Sequence, residues 1–144
     1  MEGLTSRERI ELVGSAFEAW NRGDIDAFAG HTAEDVAWLE VSGRPEGGGD
    51  SELLGRDRLR ESLKSLFDAW ERYHLEAERI EDLGDRVVAI VRETARGRAS
   101  GVEVEGRWGY VLTVKDGQIV RVEAYRDAER ALQVTGLSEP TPER

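Results

Sequence analysis

The chain has 144 residues, no cysteine, 20 basic against 30 acidic side chains and a formal net charge of -10. This length suits one domain with its own core, and the missing cysteines exclude disulfides, thiolate nucleophiles and cysteine metal sites, so a reducing cytoplasm is the expected location. The charge opposes nucleic acid and anionic lipid as general partners, and no apolar run has the length of a membrane span or signal-peptide core, which leaves a small molecule or another protein.

Thr5 and Glu8 have the spacing of a capping box and open a helix whose apolar stripe is Ile10, Val13, Phe17 and Trp20, ending at Gly23. Asp24 caps a shorter helix that buries Ile25, Phe28 and Ala29, ahead of the polar run His31 to Asp35. The period then becomes two. From Val36 to Val41 the row Val36, Trp38, Glu40 alternates with Ala37, Leu39, Val41, so a carboxylate interrupts one of two apolar faces. Gly43 to Gly55 is glycine-rich, contains Pro45 and predicts a loop. No Lys-Ser or Lys-Thr follows it and Glu46, Asp50 and Glu52 make it acidic, which argues against a phosphate cradle. Leu59, Leu63, Leu66, Phe67 and Trp70 mark a further amphipathic helix, with Asp57 in its first turn.

Strand patterns follow at His74 to Glu81, Arg86 to Arg96 and Val102 to Val114. The last is the first arm of a hairpin from Val102 to Asp127 that turns at Lys115-Asp116-Gly117. Trp108, Tyr110, Leu112 and Val114 share one face of the outgoing arm. Val120, Val122, Ala124 and Arg126 form one row of the return arm, with Ile119, Arg121, Glu123 and Tyr125 opposite. Asp127 starts a short helix through Leu132, Gly136 ends it, and Pro140 and Pro142 lie in a tail. Residues 1–137 thus form one domain, with 138–144 as a flexible extension. Helices clustered early and strands late predict an α+β fold with an antiparallel sheet, one face of which two amphipathic helices can cover; if the sheet curls around them, the aromatic rows enclose a cone with one open end.

The segments Phe17 to Asp26, Glu34-Asp35-Val36-Ala37-Trp38, Leu54-Gly55-Arg56-Asp57, Lys115 to Ile119 and Tyr125-Arg126-Asp127 together resemble the nuclear transport factor 2-like superfamily, and within it the SnoaL-like group. The resemblance spans nearly everything from Glu8 to Leu137. It implies an α+β cone in which a strongly curved mixed, largely antiparallel sheet wraps three helices of the N-terminal half around a deep internal pocket, a small apolar or carbonyl-containing ligand, no cofactor, and a homodimer formed through the outer sheet face. It does not fix an activity, because isomerases, cyclases, hydrolases, dehydratases and non-catalytic proteins share this fold. Matched to ketosteroid isomerase, the general-base position falls on Glu40. The oxyanion tyrosine falls on Ala16, so that donor is missing, and the second donor falls near Tyr110. The tuning of carboxyl groups by their surroundings in that isomerase is a standard illustration, and these roles are carried over by resemblance.

Independently, Glu40 lies two residues beyond Trp38 on the same strand face, where burial would raise its pKa toward the range of a general base; the other outcome is a strand that has ended and a carboxylate in water. The expected catalytic pair is Glu40 and Tyr110. The expected pocket lining is Phe17, Trp20, Trp38, Phe67, Arg92, Trp108, Leu112, Val122 and Arg126. Either Arg92 or Glu93 must point inward, and an inward arginine would bind an anionic group or pair with Glu40 and remove it as a base; both arginines reaching to the rim is the alternative. Asp127 fits a helix cap better than a catalytic acid. His31 and His74 give no metal-site spacing, so no metal is expected. Two functions remain open: proton abstraction beside a carbonyl, or sequestration of an apolar ligand without turnover, with an assembly domain as a third possibility.

Overall fold

A computed structural model of the chain describes residues 4–41 and 51–137. The tail and most of the stretch expected as a glycine-rich loop lie outside these residues. The elements run α1 (Ser6–Asn21), α2 (Ile25–Gly30), β1 (Thr32–Val41), β2 (Ser51–Leu54), α3 (Arg56–Ala69), β3 (Trp70–Asp82), β4 (Arg86–Gly97), β5 (Glu103–Lys115), β6 (Gln118–Tyr125) and α4 (Ala128–Thr135). The strands form one curved, unclosed sheet in the order β2-β1-β6-β5-β4-β3. Every neighbouring pair is antiparallel except β1 with β6, which makes the sheet mixed.

Local chemistry places the elements. The Thr5 and Glu8 side chains complete the capping box of α1, and Asp24 and Asp127 accept backbone N–H groups at the starts of α2 and α4. At the β5–β6 turn Asp116 and Gly117 have φ of 53° and 76°, the left-handed pair that a tight two-residue hairpin requires. Asn21 at the end of α1 clamps β3: its side chain donates to the Leu75 carbonyl at 2.9 Å and accepts the Leu75 N–H at 2.8 Å.

The sheet buries both faces, and this explains the run from Val87 to Val91. Val87, Ala89 and Val91 join Trp108, Tyr110, Leu112, Val122 and Ala124 on the inner face, against Phe17, Trp20, Leu59 and Leu63 of the helices. Val88 and Ile90 point the other way and pack with Val111 and Tyr125 beneath Ala128, Ala131 and Leu132 of α4. Gly109 permits that contact, since a Cβ there would stand 2.3 Å from Cβ of Ala131.

The structure corrects four local expectations. β1 begins at Thr32 rather than Val36, with an irregularity in its pairing to β6 between Thr32 and Ala37, so the polar run belongs to the strand. Residues 51–54, expected within the loop, form an edge strand against Ala37 to Glu40. Trp70 is not the last turn of α3 but the first residue of β3; its φ of -113° and ψ of 128° are extended, and the Arg98 guanidinium satisfies the carbonyls of Phe67, Asp68 and Trp70. A bulge between Thr113 and Val114 sets Ile119, not Val120, into the inner core, because one extra residue reverses the alternation.

Candidate functional site

Cross-strand register defines the inner wall. Glu40 of β1 pairs with Ala124 of β6, Ala124 with Tyr110 of β5, and Tyr110 with Ala89 of β4. Glu40 and Tyr110 therefore share one row, two strand spacings or roughly 10 Å apart at the backbone, with only a methyl between them. Trp38 begins the adjacent row, beside Val122 and then Leu112.

A cleft of about 470 Å³ opens between α3 and the β1–β2 pair, lined by Trp20, Trp38, Leu53, Leu59, Leu63 and Leu66, with Ser62, Ser65, Glu40 and Glu52. Its apolar body and few polar groups suit a small organic ligand. A second cleft of about 300 Å³ lies on the far side of Trp20, bounded by Phe67, Trp70, Tyr73 and the end of α1. Trp20 is the wall common to both. Its ring is 5% exposed and meets Phe28, Phe67 and Tyr73 edge-on at centroid distances of 5.4–5.6 Å. The indole Nε1 is buried and has no hydrogen-bond partner, a condition that costs about 1–3 kcal/mol.

The expected site residues divide by position. Glu40, Trp38 and Trp20 line the larger cleft, and Phe67 lines the smaller one. Phe17, Trp108, Tyr110, Leu112 and Val122 are buried in the core behind them, where Tyr110 stacks on Trp108 and meets Trp38 at 6.2 Å. Glu40 differs from expectation: its strand continues to Val41 and it keeps the inner row, yet its side chain is exposed at the cleft mouth. Arg92 is outside the cone. It belongs to the outer row of β4 and pairs with Glu105, because the alternation through Val87, Ala89 and Val91 turns Glu93 inward. Arg126 is exposed and lies over the Trp108 ring at 4.8 Å, beside a groove with Arg107 and Asp127.

Glu93 is thus the acid within the apolar interior, 8% exposed, and the Tyr73 hydroxyl donates to its carboxylate. Burial raises the Tyr73 phenol far above its ordinary range, and the bond to Glu93 adds to the effect. Tyr110 is raised as well, first by burial and then by the negative charges of Glu93 and Glu40, so both phenols stay protonated as donors. Among the described residues no group of acids and histidines is placed to hold a metal ion, and no helix is long and apolar enough to cross a membrane.

The sequence profile of the SnoaL-like domain matches residues 13–122, most of the chain. The chain belongs to the SnoaL-like domain family. Solved structures share this SnoaL-like cone. A nuclear transport factor 2-like protein of unknown function from Burkholderia pseudomallei is 18% identical with a TM-score of 0.72, over 88% of this chain and 95% of that one. A hypothetical protein with a ketosteroid isomerase-like fold from Catenulispora acidiphila, solved with trimethylamine, is 17% identical with a TM-score of 0.70, over 92% and 98%. A candidate polyketide cyclase from Xanthomonas campestris is 28% identical with a TM-score of 0.65, over 87% and 94%. No curated protein matches the SnoaL-like chain in sequence.

Sequence reasoning put Arg92 in the expected pocket lining with Glu93 as the alternative inward residue, and the structure turns Glu93 inward instead. The signal was present, since counting by two from Val87 reaches Glu93, but it was masked by a strand apolar on both faces. The unpartnered indole of Trp20 had no sequence signal at all.

Proposed function

We propose that the protein binds an apolar, carbonyl-containing small molecule in the cleft between α3 and the β1–β2 pair, and that Glu40 acts there as a cofactor-free general base. The observation that carries this reading is the placement of Glu40 at the mouth of a cleft walled by Trp20, Trp38 and leucines, on the inner row that leads to Tyr110. No ion pair to a cation occupies Glu40 among the described residues: Arg92 is paired with Glu105 and Arg126 lies over Trp108. A carboxylate in this position takes a proton from the carbon beside the carbonyl, the electron pair moves onto the oxygen as an enolate, and return of the proton to another carbon completes an isomerisation; attack by the enolate on a second carbonyl would instead close a ring. Tyr110, expected as the oxyanion donor, stays protonated but is buried behind Trp38 and does not line the cleft, so in this proposal Glu40 acts without it. One positioned base supplies about 10²- to 10⁴-fold, so a modest enzyme is expected. The name of the Xanthomonas campestris neighbour, a candidate polyketide cyclase, agrees with this class of chemistry.

The second reading is a binding module without turnover, favoured by the exposure of Glu40 and the packing of Tyr110 behind Trp38. Glu40→Gln separates the two. For an enzyme, solvent deuterium exchange beside the carbonyl of a bound aromatic ketone falls by at least about 100-fold in the variant while affinity is kept. Loss of affinity without any exchange in the parent protein identifies the module. A homodimer through the outer sheet face is also proposed, on the part that α4 leaves open.

A further inference from the structure

We propose a second binding site: the smaller cleft, where the end of α1 meets α3 and β3, takes a small aromatic carboxylate. It is separate from the cleft between α3 and the β1–β2 pair, and neither assignment depends on the other. Four rings wall it, Trp20, Phe67, Trp70 and Tyr73, set edge to face at centroid distances of 5.4–5.8 Å. Its volume of about 300 Å³ suits a molecule of one or two rings. The charge of its rim is opposite to that of the chain. Against a net charge of -10 overall, the cleft gathers Arg22, Arg72 and Arg98 with one acid, Glu71. Arg22 lies 3.8 Å from Asp24 and Glu71 lies 3.8 Å from Arg96, so each of these has a partner of opposite charge outside the lining. The other two guanidiniums have no carboxylate partner among the described residues. Arg72 makes no hydrogen bond or ion pair there, and it stands across from Arg96 in the β3–β4 ladder as a like-charge pair. Arg98 is fixed by the carbonyls of Phe67, Asp68 and Trp70 through Nε and Nη2, which leaves Nη1 as a preset donor. A backbone donor joins them. β3 is an edge of the sheet, and Asn21 occupies the outward N–H and C=O of Leu75. The alternation of an antiparallel ladder turns the N–H of Tyr73, two residues earlier, to the same open side. An aromatic ring held by the four-ring wall thus brings its carboxylate to uncompensated positive charge and N–H donors, which its neutral amide exploits far less.

The test titrates 1-naphthoate and its neutral isostere 1-naphthamide into the full chain by calorimetry. Naphthoate is expected to bind at least about tenfold tighter, with the advantage shrinking as salt rises. Arg72→Gln removes a side chain that bonds nothing among the described residues, and is expected to cut that advantage at least about threefold while naphthamide affinity stays unchanged. Arg72→Glu should erase it. On protein carrying ¹⁵N-labelled indoles, assigned by single tryptophan-to-phenylalanine replacements, the two clefts are told apart directly. Trp70 lines the smaller cleft and not the larger, and Trp38 the larger and not the smaller, so naphthoate is expected to move the Trp70 signal and leave that of Trp38 in place. Equal affinity for the two probes, no binding of naphthoate, or an advantage that survives Arg72→Glu overturns the assignment. A shift of Trp38 in place of Trp70 puts the anion in the larger cleft and overturns it as well. Each of these results leaves the reading of the cleft between α3 and the β1–β2 pair standing.

Discussion

At the scale of single residues the interior turns on Tyr73 and Glu93. A carboxylate that is 8% exposed requires a donor, and the Tyr73 hydroxyl supplies it. Tyr73→Phe removes that donor while keeping the ring that abuts Trp20 and Trp70 at 5.4 and 5.8 Å. The variant should lose about 1–3 kcal/mol, read as a lower urea midpoint at unchanged slope. Glu93→Gln retains a carbonyl oxygen for Tyr73 and should cost less. The reverse order would show that the hydroxyl contributes nothing and that the charge alone matters.

At the scale of elements, two of the contacts that attach helices to the sheet give sharp tests. Arg9 on α1 reaches Asp82 at the end of β3 through hydrogen bonds of 2.6 and 2.8 Å, and Ser6 adds one of 2.5 Å. Hydrogen bonding from Arg9, opposed by burial and aided by Ser6, brings the Asp82 carboxyl down to about 2. Between that value and the ordinary carboxyl pKa near 3.9, the unfolded chain binds the proton and the folded chain does not. The contribution of Asp82 to stability is therefore full above about pH 4 and is lost as pH falls toward 2. The stability gap between the parent and Asp82→Asn should close over that window in acid unfolding curves; a gap independent of pH would deny the ion pair any role. On the opposite face α4 depends on Gly109. Gly109→Ala drives a methyl into Ala131, and with Ala128 backbone atoms at 3.3 Å the helix cannot settle closer. A loss of about 1–3 kcal/mol is expected, with hydrogen exchange accelerating first in the amides of α4.

At the scale of the molecule, the outer sheet face has two parts. α4 covers the apolar centre formed by Val88, Ile90 and Val111. Beyond it, β3, β4 and β5 carry the pairs Arg92–Glu105, Arg96–Glu103 and Arg107–Glu78, whose side chains are about half exposed. A homodimer on that surface would exchange these partners across the interface and would be held by charge. Its sedimentation should shift toward monomer as salt rises from low to molar concentration, because screening shortens to about 3 Å. A dimer indifferent to salt would place the interface elsewhere.

Much of this organisation was legible in the order of residues. The periods of α1, α3 and the hairpin arms, the caps at Thr5, Asp24 and Asp127, and the Asp116-Gly117 turn are local chemistry, and local chemistry is written in neighbours along the chain. The aromatic row from Trp108 to Val114 follows from a period of two, which fixes a face once the strand is known. Which face is inside is another matter. It depends on what lies opposite, so β4, apolar on both sides, could not be oriented until α4 was seen against Val88 and Ile90; Glu93 then turned inward and Arg92 out to Glu105. The same holds for the short strand at 51–54 and the bulge that brings in Ile119, since both exist only through pairing with distant segments. The helices, the hairpin arms and the family likeness were readable in residue order, because they rest on short-range periodicity and capping. Which acid is enclosed, how open Glu40 is to water, and that the Trp20 indole N–H is buried without a partner emerged only in three dimensions, because burial and hydrogen-bond pairing are properties of neighbours in space.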